Sequence, residues 1–123
     1  MAFDWVQYLV LARALASASG ESSLRSAISR AYYAAFKTAE HYCERNGFPP
    51  VDTGKPHQDV WEAFNNKGGK TFTRVYENGQ RLRRKRMKSD YRSHETISLS
   101  MTQDSLKESY AILYYLGASP PAP

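Results

Sequence analysis

Apolar positions recur along this chain at three-to-four-residue spacing, and no stretch alternates at period two for long enough to build a sheet. The first stripe is Trp5, Leu9, Ala12 and Leu15/Ala16. Asp4 with Gln7 resembles a capping box at its start, and Ser19-Gly20 stops it. Leu24, Ala27/Ile28, Ala31, Ala35, Ala39 and Tyr42 form the second stripe. With Ser22 or Ser23 as the cap and Asn46-Gly47 ahead of Pro49-Pro50 as the stop, it predicts a helix over about 22–46. Its many alanines let another helix approach closely. Val60, Trp61 and Phe64 predict a short helix near 58–65, between a proline- and glycine-rich loop at 48–56 and the loop Asn65-Asn66-Lys67-Gly68-Gly69. Phe72, Val75, Gly79 and Leu82 make the next stripe. Residues 93–100 read as irregular, and Ser100 with Gln103 resembles a capping box opening the last helix, whose stripe is Leu106, Tyr110 (or Ser109), Leu113 and Leu116. The expected fold class is all-α: an up-and-down antiparallel four-helix bundle with one extra short helix, in a single domain over 1–123 with an ordered core of about 4–117.

Composition narrows the class. The 123 residues are 41% hydrophobic and 24% charged, which suits an ordinary globular domain and not a disordered chain. No apolar run approaches the roughly 18 residues that a membrane span needs. The first residues lack the basic stretch of a secretory signal, so a cytoplasmic protein without a membrane partner is expected. Cys43 stands alone, which excludes an internal disulfide. His41, His57 and His94 are too scattered to suggest a metal site, and neither a metal nor another cofactor is expected. Gly68-Gly69-Lys70-Thr71 lacks the first glycine and the preceding strand of a phosphate-cradling loop.

Charge is concentrated in one place. Residues 67–92 hold ten basic and two acidic side chains, a net +8, whereas the rest of the chain carries −3. The densest run is Arg81-Leu82-Arg83-Arg84-Lys85-Arg86-Met87-Lys88-Ser89-Asp90-Tyr91. Guanidinium groups grip phosphate in two-point geometry, so a polyanion, RNA or DNA first, is the implied partner. Arg81, Arg84, Lys85 and Lys88, with Arg83 and Arg92, are the candidate backbone-binding residues, and a solvated helix face is the competing explanation. Leu82, Arg86 and Asp90 share the other face, so the apolar stripe of this helix runs into an arginine and an aspartate. Buried charges need a partner or a ligand. Arg86 is therefore either a cleft residue or half of an Arg86–Asp90 ion pair at i, i+4. His94, eight residues beyond Arg86, is the candidate general acid or base. His57 follows Pro56 at a helix start and reads as local structure. The aromatic run Arg30-Ala31-Tyr32-Tyr33-Ala34-Ala35-Phe36 could stack on bases, but fits better as a core or dimer face through Arg30, Tyr32, Tyr33 and Phe36.

Two segments together resemble the HEPN domain, a small helical bundle. Ser29-Arg30-Ala31-Tyr32-Tyr33-Ala34-Ala35-Phe36 is similar to the S-R-x-Y-Y-A-x-F helix of its prokaryotic branch, and Arg86-Met87-Lys88-Ser89-Asp90-Tyr91 to that branch's R-x-x-A-D-Y segment. The resemblance covers about 5–117. It implies a homodimer and, for many members, a metal-independent endoribonuclease acting as a toxin or in phage defence. The family's motif is an arginine followed after four to six residues by a histidine; here seven residues separate Arg86 from His94, and Asp90 stands nearer. In the catalytic version Arg86 would hold the scissile phosphate, His94 would move protons and Asp90 would orient Arg86. Other members pair with a small nucleotidyltransferase acting as antitoxin, which would make Tyr91 a modification target. The alternative is a non-catalytic module that binds nucleotide or such a partner. Non-specific DNA binding is a third possibility, without a recognition-helix pattern to support it.

Overall fold

The computed structural model describes residues 3–122 and is entirely helical: among the described residues there are five helices and no strand. They are α1 (Val6–Ala16), α2 (Glu21–Arg45), α3 (Pro56–Lys67), α4 (Lys70–Tyr91) and α5 (Leu99–Tyr115). None is long and apolar enough to cross a membrane. α2 lies at the centre and touches each of the other four, while α4 also packs on α3 and α5, and α1 on α5.

The alanine stripe explains why α2 is central. Ala27, Ala31, Ala34, Ala35 and Ala39 are all fully buried. α5 comes close enough there for the buried Ser109 hydroxyl to donate to the Ala31 carbonyl at 2.8 Å. A larger side chain at Ala31 would stand between those two backbones. The core continues through Leu9 and Ala12 of α1, Val60, Trp61 and Phe64 of α3, Val75 and Leu82 of α4, and Ile112 and Leu113 of α5. One end is closed by rings from three helices and a loop: Tyr42, Phe48, Phe64 and Phe72, with neighbouring centroids 5.4–6.1 Å apart. Cys43 is buried in the core, and that burial pushes its thiol up to about 12, so it behaves as a small apolar residue.

Helix boundaries depart from expectation at three caps. Asp4 does cap α1, with Oδ1 accepting from the Val6 N–H at 3.1 Å, but no reciprocal bond from Gln7 completes a box. α2 begins at Glu21, one residue before the expected serines, because Gly20 at φ 102° turns the chain straight into it. α5 is capped by Ser98 and not Ser100: the Ser98 hydroxyl accepts from the Met101 N–H at 3.1 Å. α3 is longer than the expected short helix, starting at Pro56, where the missing N–H costs nothing, and ending at Lys67 before Gly68 and Gly69.

Candidate functional site

The buried positions of α4 are Val75, Gly79, Leu82, Arg86 and Ser89, a stripe of helical period that carries Arg86 to the inside of the protein. The stripe ends on Ser89; Asp90 falls one position round, at the rim. The Arg86 side chain is 9% exposed and that of Asp90 24%, and they form an ion pair at 2.9 Å through Nε and Oδ2. Arg86 Nη2 donates to Tyr33 Oη at 2.8 Å and to Tyr91 Oη at 3.2 Å. Its guanidinium also lies 5.2–5.6 Å from the ring centroids of Tyr32, Tyr33 and Tyr91. A guanidinium among aromatic faces gains about 1 kcal/mol or more per good contact when desolvated, which offsets part of the cost of removing it from water. Asp90 Oδ2 also accepts from the Ser29 hydroxyl at 3.3 Å. Ser29, Tyr33, Arg86, Asp90 and Tyr91 therefore lock α2 to the end of α4.

A second polar chain lies beside the first. The Trp61 indole N–H donates to Tyr32 Oη at 3.2 Å, and Tyr32 Oη lies 2.9 Å from His57 Nδ1. An indole nitrogen can only donate, so Oη accepts from it; the phenol oxygen keeps a second lone pair as well as its own hydrogen, so the Tyr32–His57 bond runs in the direction that the His57 tautomer sets. With Oη donating to Nδ1, the neutral ring carries its proton on Nε2. Its ring stacks on Phe36 at 4.3 Å and stands 6.0 Å from the Tyr33 ring. Burial and then the nearby charges of Arg86 and Arg83 hold the His57 pKa below its ordinary value of 6.5. Burial also raises the Tyr32 phenol, which stays protonated.

The other candidate residues separate into distinct groups. Glu108 of α5 holds Lys85 at 2.7 Å and Arg81 at 3.4 Å, and Arg92 pairs with Glu95 at 3.6 Å. Arg83, Arg84 and Lys88 have no side-chain partner among the described residues, and this is the part of the basic face open to an anion. Tyr91 is 66% exposed. His94 is exposed in the segment after α4 and makes no hydrogen bond to the described residues, so the structure does not bring it to Arg86. His57 is the histidine beside Arg86, although the sequence points to local structure there. The missing signal is a contact across 25 residues, from Tyr32 to His57, which no local spacing reveals. Tyr32 and Phe36 are core side chains and are thus withdrawn from any face that could meet a second protomer, whereas Arg30 is exposed, with its guanidinium 5.2 Å from the Tyr8 ring.

Arg25 was not singled out by its sequence context. It donates from Nη1 to the carbonyls of Lys88 and Ser89 at 3.2 and 2.9 Å, and from Nη2 to those of Arg92 and Glu95. It thereby satisfies the end of α4 and fixes the segment that follows. Glu21 orients it through a 3.0 Å ion pair while accepting from the Ile97 N–H.

No group of three His, Cys, Asp or Glu side chains among the described residues is placed to hold a metal ion. No family model, curated protein or solved structure matches this chain.

Proposed function

We propose that this chain is a HEPN-like, RNA-directed module that binds RNA through the outer side of α4 and acts as a homodimer, with Arg86 serving as an internal tie. The reading includes the up-and-down bundle, with α1, α2, α4 and α5 as its four main helices and α3 as the extra one; the central position of α2 supports it. A cytoplasmic setting, a role as a toxin or defence component and a nucleotidyltransferase-type antitoxin partner belong to the same reading. The observation that carries it is the split among the cations of residues 81–92. Arg83, Arg84 and Lys88 lack acidic partners, while Arg81, Lys85, Arg86 and Arg92 are each paired. Unpaired guanidinium and ammonium groups on one helix attract a phosphate backbone without having to break protein contacts first. Binding of a labelled single-stranded RNA across a salt series tests this. Arg84→Gln with Lys88→Gln is expected to weaken binding and flatten the salt dependence by about one unit of slope per charge removed. Equal binding by the variant and the wild type would refute the surface.

Metal-independent RNA cleavage is the second reading, favoured by one observation: Arg86, Tyr91 and His57 converge on one aromatic-lined cluster. Binding ranks first because both proton-transfer candidates are engaged within the protomer. Asp90 is held by Arg86, and Nδ1 of His57 is occupied by Tyr32. Incubation with RNA in chelator separates the readings: cutting that disappears in Arg86→Ala supports the enzyme.

A further inference from the structure

We infer that His57 and Arg83 together form a phosphate-binding subsite, in which His57 Nε2–H and the Arg83 guanidinium donate to oxygens of one phosphate group. The inference rests on the RNA-directed reading above and names the point where that surface turns from general attraction to defined geometry.

His57 is locked. Phe36 stacks against its ring at 4.3 Å, and Tyr32 Oη occupies Nδ1 at 2.9 Å. Only Nε2 remains free, and in the tautomer in which Tyr32 donates to Nδ1 it carries the proton and is a donor. No protein group accepts from it among the described residues. No buried side-chain nitrogen or oxygen lacks a partner there, so the unpartnered Nε2 of half-buried His57 must reach solvent. The same reasoning applies to half-buried Arg83, whose guanidinium makes no hydrogen bond or ion pair with the described residues.

Arg83 lies one turn before Arg86 on α4, and Arg86 reaches Tyr33, whose ring is 6.0 Å from that of His57. The positive charges of Arg83 and Arg86 both act on His57 and disfavour its protonation. The carboxylate that acts on His57, Glu40, is paired with Lys37 at 3.3 Å, and Asp90 is held by Arg86 and Ser29. The subsite thus offers two donors, the N–H of a ring held in place and an unpaired guanidinium. That combination suits a phosphate group, from RNA or from free phosphate. Because His57 stays neutral, binding needs no proton uptake.

The test uses the full chain with its histidines labelled with nitrogen-15. The ring spectrum of the free protein should show the Nε2–H tautomer at His57. Adding single-stranded RNA should shift that resonance, and Arg83→Gln should remove the shift and weaken RNA binding about tenfold. Arg83→Lys, which keeps the charge but not the fork, should restore only part of the affinity. If RNA binds the wild type while His57 stays unmoved and Arg83→Gln binds equally well, the subsite is overturned and the RNA-directed reading stands. If RNA does not bind at all, that reading fails, and inorganic phosphate decides the subsite. A His57 shift abolished by Arg83→Gln supports it for free phosphate, and an unmoved resonance overturns it.

Discussion

Gly79 of α4 rests directly on the indole of Trp61: a Cβ built at Gly79 would lie 2.4 Å from Cε3 and 2.5 Å from Cδ2 of that ring. Trp61 is fully buried, and its N–H is bound to Tyr32, so the ring cannot swing aside without giving up that bond. Gly79→Ala would ordinarily strengthen a helix interior by up to about 1 kcal/mol. Here overpacking wins, and the substitution should lower stability by about 2 kcal/mol. Urea unfolding measures it; an unchanged or raised midpoint would show that α3 shifts freely on α4.

Arg86 should matter to stability before it matters to any ligand. Arg86→Met removes the partner of Asp90 and the donor to Tyr33 and Tyr91. A fully buried pair broken on one side costs about 3–5 kcal/mol, and solvent access at Asp90 lowers the expectation to about 2 kcal/mol. Adding Asp90→Leu should return part of the loss, since no charge is then left without a partner. Thermal melts of the two single variants and the double variant decide it. Strictly additive losses would show that the pair is not coupled.

The clamp at Arg25 predicts a local effect. Arg25→Met leaves the carbonyls of Lys88, Ser89, Arg92 and Glu95 without their donor. Stability should fall by about 1–2 kcal/mol. Amide exchange should rise chiefly over residues 89–97, ahead of the core of α2. Uniform acceleration across all helices would argue against a local clamp.

His57 gives stability a pH dependence of defined sign. Its folded pKa is lowered from 6.5, mainly by burial and then by Arg86 and Arg83. Above 6.5 neither folded nor unfolded His57 holds the extra proton, so its contribution is fully present. As pH falls below 6.5 the unfolded chain takes up a proton first, and stability declines until the folded pKa is passed. His57→Gln, whose side-chain oxygen can still accept from Tyr32, should flatten that decline. A wild type whose stability is constant from pH 7 to about 5 would rule out the shift. Further loss is expected as pH falls through 4.5, where Glu21 of the unfolded chain takes up a proton that its bond to Arg25 keeps off the folded one.

Much of the helical pattern was legible because one physical cause dominated each element. α2 was expected over about 22–46 and runs over Glu21–Arg45, since an unbroken alanine stripe and a stop at Asn46-Gly47 leave little freedom. The start of α5 was misplaced because Ser98 and Ser100 are both plausible caps and Leu99, 49% exposed, gives no apolar marker between them. On α4 the inward position of Arg86 was legible from period alone. Its partners from α2 were not, since Tyr33 is 53 residues distant. The same gap hid His57, whose direction is set by a tyrosine and a phenylalanine of another helix.

Glu108 binds both Arg81 and Lys85 from across the α4–α5 seam. The last helix thus acts as a built-in counterion for the fourth, and the effective valence of α4 toward a polyanion is smaller than its run of arginines and lysines suggests. Neutralising that single carboxylate would unmask two cations at once and raise the net positive charge that α4 presents.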